Sequence, residues 1–164
     1  MDSKAQRECE EDIRRIHELL DSKVFDPENM RHPLHKSAFI ELMINLRDLL
    51  SKAEKYATRI NFTDDIMQNK YVSDITDAVT AVRDACCHID SFKRRFSGEE
   101  GHVSFMVVHG KMGLIRTSTI NLRSEYADDI AYIYGENRLY MKRHILRAFL
   151  EVCTVLMPLL QNHP

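Results

Sequence analysis

The segment Arg83-Asp84-Ala85-Cys86-Cys87-His88 brings three chemically active side chains together in a short stretch of the chain. The guanidinium of Arg83 is permanently charged and can bind a phosphate through two hydrogen bonds. The imidazole of His88 can transfer a proton near neutral pH, and the Asp84 carboxylate can orient either of the other two groups. Together these groups could cleave a phosphodiester bond without a metal ion, so we take Arg83, Asp84 and His88 as the candidate catalytic residues.

Three basic residues, Lys93, Arg94 and Arg95, follow this motif on the same predicted helix. The formal net charge of the chain is -2, so any nucleic-acid site must be a local basic patch. We predict that Lys93, Arg94 and Arg95 contact RNA. The alternative interpretation is a solvated, basic helix end that complements the helix dipole.

The motif resembles the signature of the HEPN superfamily, an Arg separated from a His by about four to six residues, often with a polar residue directly after the Arg. Arg83, Asp84 and His88 match this pattern. The resemblance implies a helical-bundle domain and a metal-independent endoribonuclease or toxin-like protein. It also implies a homodimer with two motifs at the interface, and a nucleotidyltransferase-type antitoxin as a partner. His88 would then transfer protons, and Arg83 would bind the scissile phosphate.

A non-catalytic helical dimerisation or protein-interaction module is the alternative reading of the same residues. Asp84 and His88 would then be a surface pair four residues apart, and the Arg83 stem would cover apolar neighbours. The last helix would dimerise, and the β insert would recruit a partner by strand addition. The positions of Arg83 and His88 in the fold distinguish the two readings.

Apolar residues at spacings of three and four predict the helices that position the motif. In the third helix this stripe includes Ile75, Val79 and Val82. Ser3 and Gln6 have the spacing of a capping box at the start of the first helix. The predicted helices span residues 4–22, 36–60, 73–96 and 141–161.

Two β-rich runs, 103–108 and 130–134, separate the motif from the last helix. Residues 135–137 predict a turn, after which 138–140 return as a partner strand. We therefore predict an α+β fold that is mainly α. It would be an up-and-down bundle of four to five helices with a small antiparallel β insert near 102–140, and residues 1–164 would form a single HEPN-like domain.

The composition suits one ordinary globular domain. The chain has 164 residues, 44% of them hydrophobic, and four Cys without a CxxC pair, so we expect neither a disulfide framework nor a cofactor. The histidines show no metal-ligand spacing, so we expect no metal. The adjacent carboxylates Asp64-Asp65 and Asp128-Asp129 are expected in cap or surface roles. The residues Lys142, Arg143, His144 and Arg147 are a weaker candidate for nucleic-acid contact.

The N-terminal residues carry no apolar signal core, and no segment approaches the roughly 18 apolar residues of a membrane span. We therefore expect a cytoplasmic protein without a membrane partner. The last helix has more apolar positions than one face of a bundle can use, and large exposed apolar patches are rare on monomers. This excess predicts a homodimer.

Overall fold

A computed structural model describes residues 1–88, 103–116 and 121–161 and shows an α+β fold that is mainly helical. The described helices are α1 (Ser3–Asp21), α2 (His35–Tyr56), α3 (Ile75–Cys87) and α4 (Arg147–Gln161). A π-helical segment, Met141–Leu146, leads directly into α4, and a short 3-10 turn covers Pro27–Asn29. The strands are β1 (Met106–His109), β2 (Met112–Arg116), β3 (Asn121–Ser124), β4 (Ile130–Tyr134) and β5 (Asn137–Tyr140).

The first helix is capped by a residue that the sequence pattern did not single out. The Asp2 carboxylate accepts hydrogen bonds from the backbone N–H groups of Lys4 (3.0 Å) and Ala5 (2.9 Å). An N-cap aspartate satisfies N–H groups that have no partner within the helix. The capping box predicted at Ser3 and Gln6 is therefore wrong, because the cap lies one residue earlier.

Helix α2 is the centre of the core. Its apolar stripe, including Leu42, Leu46 and Leu49, is fully buried, and the helix packs against α1, α3 and α4. Tyr132 of β4 and Leu139 of β5 belong to the same core cluster. Because a sheet shares this core, the helices do not form the clear up-and-down bundle that we predicted.

The β insert consists of two small antiparallel sheets in the described residues. One has the strand order β1-β4-β5, and the other pairs β2 with β3. The β4–β5 hairpin predicted from the sequence is confirmed, with Tyr134 opposite Asn137 and Gly135 in the left-handed region at φ 54°. All five residues of β4 are buried, as expected for a central strand.

The segment Met141–Gln161 begins and ends where the sequence predicted the last helix. It is also long and apolar enough to cross a membrane by length and composition, with a mean hydropathy of 1.3, which we did not expect. About a third (33%) of its most apolar window is buried in the protein, including Val152 and Leu156. Core helices of other folds meet the same criterion, so the absence of a membrane partner stays a prediction.

Candidate functional site

The start of α3, the helix that carries the motif, is fixed by a buried capping aspartate. Asp74 accepts a hydrogen bond from the Asp77 backbone N–H (3.0 Å) and two from the Arg59 guanidinium (2.9 and 3.0 Å). Arg59 also donates to the carboxylates of Asp77 (2.7 Å) and Glu54 (2.6 Å), and the three acids raise the pKa of its guanidinium. This network ties α3 to the end of α2, and so sets where the motif begins.

Arg83 and Asp84 form an ion pair on the last turns of α3. Arg83 Nη1 donates to Asp84 Oδ1 at 3.1 Å, and each side chain is 29% exposed. The Nε of Arg83 is buried and has no hydrogen-bond partner in the structure. Asp84 therefore pairs with Arg83, one of the two groups that it was expected to orient.

His88 does not lie on a continuous helix with Arg83, contrary to our prediction. The helix predicted to run to residue 96 ends at Cys87, and His88 has an extended backbone (φ -118°, ψ 112°). Its N–H still donates to the Asp84 carbonyl at 3.0 Å, which closes the last turn. Because the backbone leaves the helix here, regular helix geometry does not set the direction of the His88 side chain relative to Arg83. The His88 side chain is exposed.

The predicted RNA-binding residues, Lys93, Arg94 and Arg95, lie outside the residues that the structure describes. The other basic cluster is described: its His144 is buried, and its two arginines are already paired with carboxylates. Arg143 donates to Asp129 and Asp128 at 3.0 Å each, and Arg147 donates to Asp64 (2.9 Å) and Glu151 (2.8 Å). Since these carboxylates neutralise it, this cluster is a poor attractant for a phosphate backbone.

Asp129 is a structural residue whose capping role agrees with our prediction. Its fully buried carboxylate accepts hydrogen bonds from the backbone N–H groups of Ile130 (2.8 Å), Lys142 (2.9 Å) and Arg143 (3.2 Å). The Arg143 side chain supplies a fourth bond. Asp129 thus joins the start of β4 to the start of the π-helical segment.

Two buried histidines, which the sequence did not mark as structural, have both ring nitrogens bonded. His144 Nδ1 accepts from the Tyr140 N–H (3.1 Å), and its Nε2 donates to the Asp64 carbonyl (3.1 Å). Burial lowers the pKa of His144 to about 4. His35 Nδ1 donates to the Val24 carbonyl (2.8 Å), and its Nε2 accepts from the Tyr132 hydroxyl (3.2 Å).

A sequence signal for one of these histidines existed. His35 lies four residues before the buried Phe39, so it extends the α2 stripe backwards by one turn. The helix predicted over 36–60 starts one residue too late to include it. For His144, whose partners are residues distant in the chain, we find no such signal.

Two cavities open on other parts of the surface. One, of about 540 Å³, lies between the end of α1 and the start of α2 and includes Leu19, His32 and Leu34. The other, of about 290 Å³, includes His109 and Lys142. Neither of these two cavities is lined by Arg83, Asp84 or His88. Among the described residues, no group of three or more His, Cys, Asp or Glu could hold a metal ion.

Comparison with known proteins returned no match: no family model, no curated protein and no solved structure is significantly similar to the chain.

Proposed function

We propose that the protein is a metal-independent endoribonuclease of the HEPN-like kind, with Arg83, Asp84 and His88 as its catalytic motif. The observation that carries the proposal is the juxtaposition at the end of α3. A partly exposed guanidinium, held by Asp84 and with an unpartnered Nε, lies one and a half helical turns from an exposed imidazole. Because the His88 N–H still closes the last helical turn, the rise between the two residues is about 7.5 Å, a distance that two long side chains can span around one phosphodiester.

The chemistry assigns one task to each group. The 2′-oxygen of the ribose attacks the phosphorus while an imidazole accepts its proton, and the bond to the 5′-oxygen breaks. A protonated imidazole returns a proton to the leaving 5′-oxygen, so the products are a 2′,3′-cyclic phosphate and a 5′-hydroxyl. Arg83 stabilises the charge that develops on the phosphate oxygens. Asp84 acts as a positioning residue for Arg83.

Two histidines are needed if acid and base act in the same step, and a homodimer would supply the second. The exposed His88 side chain supports this arrangement, since a composite cleft would enclose the substrate only after assembly. Lys93, Arg94 and Arg95 follow within a few residues and would bind the RNA backbone. A nucleotidyltransferase-type antitoxin is the partner that the family resemblance adds to this proposal.

The first test is cleavage of single-stranded RNA in EDTA. Wild-type protein should release products ending in a 2′,3′-cyclic phosphate and leave the matching DNA intact. His88→Ala should slow cleavage by roughly 10²- to 10⁴-fold because a proton-transfer group is lost. Arg83→Ala should lose roughly 10²- to 10³-fold because a charge-stabilising donor is lost.

Matched variants control for the loss of any surface histidine or arginine. His109 is exposed and lies at the end of β1, and Arg14 lies on the exposed face of α1 beside Glu11 and Glu18. His109→Ala and Arg14→Ala should cut RNA at the wild-type rate. The proposal is wrong if wild-type protein neither binds nor cuts RNA and the His88 and Arg83 variants behave identically to it.

A non-catalytic interaction module is the second candidate, favoured by the apolar surface of α4. Leu150 is 65% exposed and Met157 is 41% exposed on a helix whose other side is in the core. This surface suits a protein partner as well as a second copy. A protein that dimerises through α4 and has no ribonuclease activity in the assay above would favour this candidate.

A further inference from the structure

A second arginine–aspartate pair, Arg47-Asp48 on α2, has nearly the geometry of the motif pair. Arg47 Nη1 donates to Asp48 Oδ1 at 3.2 Å, against 3.1 Å for Arg83 and Asp84. In both pairs the aspartate directly follows the arginine, and both side chains are partly exposed. The Nε of Arg47, like that of Arg83, is buried and has no hydrogen-bond partner in the structure.

The topology places the two arginines at a similar height on neighbouring helices. The residues that follow α2 contact the start of α3: the Phe62 carbonyl accepts from the Ile75 N–H (3.0 Å), and Arg59 binds Asp74. The end of α2 therefore lies beside the start of α3, and the two packed helices run in opposite directions. Arg47 is nine residues before the end of α2, and Arg83 is eight residues after the start of α3. At the rise of an α-helix both lie about 12–14 Å from this junction.

Two unsatisfied guanidinium donors at one level of the fold need a physical explanation. More than about nine in ten buried polar groups have a hydrogen-bond partner, and an unpaired one is costly. A guanidinium nitrogen that faces solvent can donate to a phosphate oxygen. In each pair the aspartate occupies Nη1 and protein atoms cover Nε, so Nη2 is the donor that remains for a phosphate.

We propose that Arg47 is a second phosphate-binding residue, which together with Arg83 holds one phosphodiester group of the substrate between α2 and α3. This inference rests on the proposed ribonuclease function, which identifies the ligand as RNA. The site itself consists of two arginines that bind one phosphate. Asp48 and Asp84 offset the repulsion between the two positively charged guanidinium groups when no phosphate is bound. Arg47 donates a hydrogen bond to a non-bridging oxygen of the phosphodiester, and the reactive 2′-hydroxyl faces His88.

The test observes the two guanidinium groups directly in the wild-type protein. In protein labelled with ¹⁵N-arginine, the Nε–Hε signals of Arg47 and Arg83 are assigned by their loss in Arg47→Gln and Arg83→Gln. Inorganic phosphate, and then a 2′-deoxy oligonucleotide that cannot be cleaved, are titrated in. Both signals should shift together and saturate with one dissociation constant. The Arg59 signal should not move, because its guanidinium is already committed to three carboxylates.

Binding of the same oligonucleotide to variants gives an independent readout. Arg47→Gln should weaken binding about tenfold or more, since hydrogen bonds between charged groups are the stronger ones. It should also reduce the slope of log affinity against log salt by about 0.7, the loss of one phosphate contact to a single strand. Arg14→Gln is the matched control and should bind as wild type does.

The outcomes separate this inference from the proposed function. If only the Arg83 signal shifts, or if a folded Arg47→Gln binds as wild type does, the inference is wrong even when the protein cuts RNA. If both signals respond and the wild-type protein cuts no RNA, the phosphate site stands and the ribonuclease proposal fails. The titration uses wild-type protein, so the inference stays testable if Arg47→Gln does not fold.

Discussion

The imidazole of His144 is an uncharged group inside the fold, and its burial makes stability depend on pH. Its pKa falls to about 4, from an ordinary value of 6.5, because desolvation disfavours the charged form. Between these values the unfolded chain binds a proton that the folded protein does not. Stability should therefore be fully present above about pH 6.5 and decline as the pH falls toward 4, by roughly 3 kcal/mol in total.

The variant His144→Gln tests this linkage. An amide can donate to the Asp64 carbonyl or accept from the Tyr140 N–H but does not titrate, so the variant should lose some stability at pH 7. Its free energy of unfolding in urea should then change less between pH 6.5 and 4 than that of wild type. His32→Gln, at an exposed position, should keep the wild-type pH dependence. An unchanged pH dependence in His144→Gln would show that other groups cause it.

At the scale of single residues, the sequence indicated which side chains could react but not the environment of each side chain in the fold. The sequence left open whether Asp84 orients Arg83 or His88, and the structure shows an ion pair between Asp84 and Arg83. The environment of His144 depends on Asp64, eighty positions away, and no local pattern carries that information. The Arg47-Asp48 dipeptide has no histidine at the spacing of the motif, so the sequence pattern did not mark it.

At the scale of elements, the π-helical segment before α4 depends on one buried carboxylate. Asp129 satisfies the N–H groups of Lys142 and Arg143, which the segment itself leaves without partners, and it also binds the Arg143 side chain. Asp129→Ala should lower the free energy of unfolding by about 3 kcal/mol or more, because buried donors and a cation lose their partner. Chemical denaturation would measure this change.

The adjacent residue provides the control for this prediction. Asp128 binds the same arginine at 3.0 Å, but its side chain is largely exposed. Asp128→Ala should therefore leave the stability nearly unchanged, since exposed ion pairs contribute little. Equal losses in the Asp128 and Asp129 variants would show that the Arg143 charge, and not the backbone capping, stabilises the segment.

The helices with the strongest periodicity were predicted best. Their apolar stripes reflect burial on one face, and α1, α2 and the last helix begin within one residue of their predicted starts. The predicted end of α3 was wrong because apolar residues continue at helical spacing toward residue 96, whereas the backbone becomes extended at His88. Periodicity shows which side of a segment is apolar and does not show where its backbone stops being helical.

At the scale of the whole molecule, the exposed side of α4 is the surface that we expect to join two copies. Leu150 and Met157 are seven residues apart, about two turns, and so lie on one face of the helix. In an antiparallel pair related by a two-fold axis, Leu150 would pack against Met157 of the partner subunit. Light scattering at tens of micromolar should therefore give about twice the 19.2 kDa mass of one chain.

Replacing both Leu150 and Met157 by Glu should give a folded monomer, because neither side chain belongs to the core of one copy. Leu34→Glu is the matched control, since Leu34 is 62% exposed on a different part of the surface. It should remain dimeric. Wild-type protein that is monomeric throughout this concentration range would count against the dimer and against the composite cleft.

The contact between the first and last helices also has a kinetic consequence. Gln6 Nε2 donates to the Leu159 carbonyl at 3.2 Å, and the His17 ring meets Phe149 edge-on at 5.1 Å. Because α4 follows every other described element in the chain, a ribosome must complete all of them before the helix that closes their common core exists. Contacts between such distant parts of a chain slow folding. Until α4 docks, α2 lacks one of its partners, and the nascent protein exposes the apolar surface that chaperones bind.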